Sequence, residues 1–132
     1  MFHELVKHLK KGRKLSRIKK QREALMKIML GDLLMKEKIT TTEAKAKELK
    51  PLAEKIINKA KKMLSSDKKE MSKITRELFG KLPRHVKLSK MKELANRFAA
   101  KNSGYLRIFK KGPRRSDGAG MAVIEFIKEE IT

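Results

Sequence analysis

The spacing of apolar positions divides the 132-residue chain into four helical stretches, one brief strand and a closing pair of strands. After Ser16, a residue suited to cap a helix, Ile18, Leu25, Ile28, Met29 and Leu33 recur at helical intervals, with Lys19, Lys20 and Arg22 left outward. Ile39 to Thr41 is a short β-favouring run, and Thr40-x-x-Glu43 has the spacing of a capping box. Leu49, Leu52, Ala53, Ile56, Ala60 and Met63 then mark the buried face of a second helix. Pro51 lies inside this pattern and removes a backbone donor to Lys47, which predicts a kink or break near Lys50.

Asp67-x-x-Glu70 is a second cap signal, and Met71, Ile74, Leu78 and Leu82 predict a short helix ending between Gly80 and Pro83. A fourth helix from Ser89 puts Met91, Leu94, Ala95, Phe98 and Ala99 on one face, with Asn102-Ser103-Gly104 as its stop. The period then changes to two. Leu106 and Ile108 alternate with Arg107, and Ala122, Ile124 and Phe126 alternate with Val123 and Glu125, so two strands flank a loop. The order α-β-α-α-α-β-β predicts an α+β fold, a small single domain with its helices packed on one face of a small mixed three-stranded sheet. The pattern contains no internal repeat and no domain boundary beyond a basic N-terminal arm, residues 1–16, leading into a single domain over 17–132.

Charge changes the picture most. The chain carries 36 Lys and Arg against 15 Asp and Glu, a formal net charge of +21, far beyond what solubility requires. From Leu5 to Arg22 there are nine basic residues and no acid. The second concentration is the loop between the last strands, where Lys110, Lys111, Arg114 and Arg115 stand among Gly112, Pro113, Gly118 and Gly120. Like charges held close repel unless an anion lies between them, so the expected partner is a polyanion. Arginine suits a phosphate because its planar fork can bind two oxygens at once.

No apolar run approaches the roughly 18 residues of a spanning helix, so no membrane partner is expected. A cationic membrane-surface binder is weakened because the apolar helix faces are needed for one another. Cysteine is absent, which excludes disulfides and thiolate zinc sites. His3, His8 and His85 lack ligand spacing, neither GKLPR nor KKGPRR is a Walker loop, and the carboxylates mostly neighbour lysines on helix surfaces. The expectation is a non-enzyme without metal, cofactor or small-molecule substrate. One Tyr and no Trp argue against a base-stacking platform, and a β segment interrupts any helix-turn-helix formed from the first two helices. A basic arm and a basic hairpin loop on a small core suggest a protein threaded into folded RNA. A nucleoid-type DNA-binding protein is the alternative.

Three stretches are more specific: KHLKKGRKLSR at Lys7 to Arg17, TTEAKAKELKPLAEKIINKAKK at Thr41 to Lys62, and GYLRIFKKGPRRSDGAGMAVIEFI at Gly104 to Ile127. In order and spacing, and together with ELANRFAAKNSGY, they resemble the signature stretches of the bacterial large-subunit ribosomal protein seventeen family. The resemblance implies a non-catalytic constituent of the large ribosomal subunit in the bacterial cytoplasm rather than an organelle. Its implied partners are large-subunit ribosomal RNA of the 23S type and neighbouring large-subunit proteins, on the outer side near the peptide exit tunnel. It implies the α-β-α-α-α-β-β order as well. By similarity, Lys7, His8, Lys10, Lys11, Arg13, Lys14 and Arg17 lie in an arm that enters RNA, and Thr41, Thr42, Lys45, Lys110, Lys111, Arg114 and Arg115 hold further segments. Lys19, Lys20, Arg22 and Arg107 complete the expected RNA-binding set.

The chain departs from the family pattern in places. Ser16 stands where Gly is usual, Glu43 replaces an apolar residue, and Asn96 and Phe98 replace a Pro and a Tyr. The stretch from Asp67 to Lys92 matches poorly and is longer than usual. Family members begin with Met, a basic residue and His, which correspond to Val6, Lys7 and His8, so a start at Val6 is expected, with Met1 to Leu5 an over-extension.

Overall fold

The computed structural model describes residues 18–128. The arm residues Lys7, His8, Lys10, Lys11, Arg13, Lys14 and Arg17, the Ser16 cap and the expected start at Val6 lie outside the described residues. The elements follow the expected order: α1 (Lys19–Lys36), β1 (Lys38–Thr42), α2 (Glu43–Ser65), α3 (Lys68–Gly80), α4 (Leu88–Arg97), β2 (Leu106–Pro113) and β3 (Gly120–Phe126).

The first helix follows the expected stripe only in part, with Leu33 fully buried as expected. Ile18 and Ile28 are exposed, and Met26, Leu30, Leu33 and Leu34 face the core, with Leu25 and Met29 only partly covered. The helix is apolar over more than one stripe, and long-range packing selects among them. At Gly31 the Pro83 ring and His85 approach so closely that a Cβ would overlap the Pro83 ring, which fixes the rotation of α1 against the segment after α3. The helix closes on Glu37, in the left-handed conformation at φ 66°, whose N–H donates to Leu33 O.

The cap of α2 is Thr42 rather than Thr40: its side chain accepts from the Lys45 N–H at 3.5 Å, while Thr40 stays in β1. Three consecutive threonines leave that choice to the strand, which must reach Thr42 to pair with Met121. α2 then runs through Pro51 without the break that was one of the two expected outcomes. Pro51 and Lys47 both lie on the solvent side, where water can take the freed carbonyl. Asp67 caps α3 as expected, accepting from the Glu70 N–H at 2.9 Å. α4 stops at Arg97, short of the Asn102-Ser103-Gly104 stop, leaving Phe98 buried and Ala99 exposed.

The strand order is β1-β3-β2 and both pairings are antiparallel, so the sheet is not mixed. β1 and β2 do run parallel, but β3 lies between them. Ala122, Ile124, Phe126 and Leu106 point into the core with Ala46, Leu49, Ala53, Ile57 and Ala60 of α2. Alanines at helical spacing let the long helix approach the sheet closely. Beside them, the Phe98 ring contacts both the fully buried Tyr105, at 5.1 Å between ring centroids, and Phe126, at 6.0 Å. The Tyr105 hydroxyl donates to Asn58 Oδ1 at 2.6 Å and accepts from Lys61 Nζ at 2.9 Å, so its burial leaves no polar group unpaired.

At this end of the sheet a charge cluster ties α4 to the α1–β1 junction. Glu37 accepts from Lys90 at 2.5 Å and from Arg97, and Arg97 also reaches Glu93 at 3.1 Å. The Arg97 hydrogen bond, with Lys90 behind it, holds the Glu37 carboxyl down to about 2 against the opposing effect of burial. The other end of the sheet is left to the hairpin loop.

Candidate nucleic-acid interface

The β2–β3 hairpin is shaped by one bulge and one clamp. Lys110 lies opposite Ala122 and Gly112 opposite Met121, so Lys111 is an extra residue in β2. Gly112 sits at φ 92°, which only glycine adopts readily. Past the bulge, Arg114 N–H donates to Ala119 O at 2.7 Å and Gly118 N–H to Arg114 O at 2.8 Å. The Arg114 guanidinium grips Asp117 with both arms, Nε to Oδ1 at 2.9 Å and Nη2 to Oδ2 at 2.6 Å, and Asp117 Oδ1 also accepts from the Ala119 N–H at 3.1 Å. The Arg114 contact, followed by the Ala119 amide, holds the Asp117 carboxyl down to about 2, and Asp117 in turn raises Arg114.

The four cations expected on the loop are therefore not equivalent: Lys110 and Lys111 belong to β2, and only Arg114 and Arg115 lie in the loop itself. Arg114 is held by Asp117, and Lys110 lies 3.6 Å from Glu43. Lys111 and Arg115 are exposed and take part in no ion pair among the described residues. Part of the expected repulsion is relieved within the loop, and the remaining two cations project from a framework that is already folded.

Register places the start of α2 at the same end of the sheet. Thr42 is opposite Met121, and Met121 is opposite Gly112, so Thr41, Thr42 and Lys45 share this end with Lys110, Lys111, Arg114 and Arg115. Glu43 packs against Gly120, where a Cβ would come 2.6 Å from the carboxylate. Arg107 stands apart, in the row with Glu125 and Lys38. Its Nε donates to Glu125 at 2.8 Å, and its guanidinium lies over the exposed Phe109 ring at 4.8 Å. Lys19, Lys20 and Arg22 lie on the first turn of α1, Arg22 at the rim of a groove whose lining includes no hairpin residue.

The outer face of α3 was missed in the sequence. Lys69, Lys73 and Arg76 are exposed at i, i+4, i+7 spacing, opposite the Met71, Ile74 and Leu78 face, with no ion pair among the described residues. That spacing was readable in the stretch that matches the family poorly. His85 lies 3.6 Å from Asp32, and among the described residues no group of three His, Cys, Asp or Glu could hold a metal. No helix of the described residues is long and apolar enough to cross a membrane.

Sequence comparison decides the family. The profile described as "Ribosomal protein L17" matches residues 25–127, most of the chain. The chain belongs to the ribosomal protein L17 family. It is 42% identical over 116 residues to the "Large ribosomal subunit protein bL17" of Shouchella clausii, covering 86% of this chain and 97% of that relative. The bL17 protein of Pelagibacter ubique is 42% identical over 127 residues, 96% of this chain and 83% of the relative, and that of Natranaerobius thermophilus is 43% identical over 117 residues, 88% and 97% respectively. The family is one of structural, non-catalytic proteins.

Proposed function

We propose that this member of the L17 family anchors large-subunit ribosomal RNA through the loop end of its sheet and through its basic arm. The chain is a large-subunit ribosomal structural protein, and its place is the cytoplasmic ribosome of bacterial type. The observation that carries the RNA reading is the hairpin end. A bulge and an Arg114–Asp117 clamp hold the loop in one shape, leaving Lys111 and Arg115 as exposed cations beside Thr41, Thr42 and Lys45 at the start of α2. A rigid platform with outward cations suits the backbone of a folded RNA, since phosphate contacts position a protein without reading sequence. The arm from Lys7 to Arg17, with Lys19, Lys20 and Arg22 beyond it, supplies the second anchor. Neighbouring large-subunit proteins share the site, on the outer side of the subunit near the exit tunnel.

The test is sedimentation of a tagged copy through a sucrose gradient, before and after a high-salt wash, in cells that make the protein. Travel with the large subunit through the wash is the expected result. A protein that runs free, or follows the chromosome, would replace this reading with the DNA-binding one.

A further inference from the structure

A groove of about 310 Å³ runs between α1 and α2, away from the hairpin loop. Its floor is apolar, made of Met26 and Leu30 from α1 and Leu52 and Ile56 from α2. Its rim is cationic, with Arg22 and Lys27 from α1, Lys55 from α2 and Lys81 from the turn after α3, none in an ion pair among the described residues. Glu23 and Glu48 also line it, leaving an excess of two positive charges.

We infer that this groove takes an unpaired nucleotide of the ribosomal RNA, its base on the apolar floor and its flanking phosphates on the rim. The inference rests on the RNA-binding reading above and adds a second site to it. Charge complementarity chooses the occupant. A groove built for an apolar protein side chain would be expected to have few lysines around its centre, because lysine is depleted where protein interfaces are desolvated. Here three lysines and an arginine ring an apolar patch. A splayed-out base offers the matching pair of surfaces, an apolar face bordered by phosphates, and Arg22 can also stack on it. The volume lies at the lower end for small-ligand pockets, suited to one nucleotide rather than a helical segment.

The experiment uses the full-length protein with three probes: the trinucleotide ApApA, an abasic trinucleotide of the same backbone, and large-subunit ribosomal RNA. Binding is read by calorimetry and folding by circular dichroism. The protein is expected to bind ApApA about fivefold more tightly than the abasic probe, since a base laid on the aliphatic floor takes apolar surface of both out of water. Leu52→Gln, on the half-buried floor, is expected to erase that preference while leaving abasic binding unchanged. Lys55→Gln combined with Lys81→Gln, both on exposed residues, is expected to weaken both trinucleotides by a similar factor, and stands as the test should Leu52→Gln fail to fold. Equal affinity for the two trinucleotides, a preference that survives Leu52→Gln, or binding indifferent to the double substitution would each overturn the groove assignment. If ribosomal RNA still binds through Lys111 and Arg115 in that case, only the groove fails. If ribosomal RNA does not bind at all, both readings fall.

Discussion

Replacing Lys111 and Arg115 with alanine removes the two hairpin cations that have no partner within the described fold, and the consequence can be worked out in advance. Each phosphate contact releases condensed counterions, so binding falls with log salt by about 0.7 to 0.9 per contact, the range between single strands and duplexes. Losing two contacts should therefore flatten the log–log slope by about 1.4 to 1.8. Between 50 and 200 mM salt, a fourfold change, the wild type should lose roughly 7- to 12-fold more affinity than the double variant. Both side chains are exposed, so thermal stability should barely move. Lys110 and Arg114 supply the contrast. They already face Glu43 and Asp117, so removing them should change the slope by less per charge. The assay is filter binding of full-length protein to large-subunit ribosomal RNA across a salt series. An unchanged slope in the double variant would mean that neither side chain meets a phosphate and that the loop faces solvent or a protein neighbour.

Other expectations rest on single residues. Asp117→Asn raises the net charge by one but breaks the Arg114 clamp; binding to folded RNA should weaken and the Ala119 amide should exchange faster, whereas tighter binding would mean that charge alone matters. Glu37→Gln should cost about 1–3 kcal/mol at pH 7, or roughly 3–4 °C in Tm per kcal/mol for a chain of this size, because Lys90 and Arg97 lose their shared carboxylate. The Glu37 carboxyl is held below its ordinary value of 4.5, at about 2. Its contribution is thus complete above about pH 4.5 and lost as pH falls toward 2, and the gap between wild type and variant in denaturant melts should close over that window. Gly31→Ala should cost about 1–3 kcal/mol through displacement of Pro83 and His85, seen as a lower urea midpoint with an unchanged slope.

Much of the fold was legible because most elements carry one unambiguous face. The α2 stripe from Leu49 to Met63 and the alternation of Ala122, Ile124 and Phe126 each admit one solution, and each is buried as expected apart from the partly covered Leu52. α1 is apolar around more of its circumference, and the stripe it buries is set by Gly31 against Pro83, a contact between residues some fifty positions apart. The antiparallel sheet was hidden for a related reason, since neither β1 nor β2 reveals that β3 lies between them. Residue types placed the basic hairpin, but the bulge at Lys111 and the division of labour among the cations need the folded loop. Arg114 and Asp117 are three residues apart, and only the turn closed by Gly118 brings them together. The groove between α1 and α2 has no local signature in the sequence because its rim gathers Arg22 from α1, Lys55 from α2 and Lys81 from the turn after α3.

On the proposed function, the folded hairpin loop is completed by ribosomal RNA. The most direct measurement is a high-resolution cryo-EM structure of the large subunit from cells making this protein. Phosphate oxygens are expected within hydrogen-bonding distance of Lys111 and Arg115, with the Arg114–Asp117 clamp intact behind them. A loop tip facing solvent or packed on protein, with no phosphate beside either side chain, would contradict it.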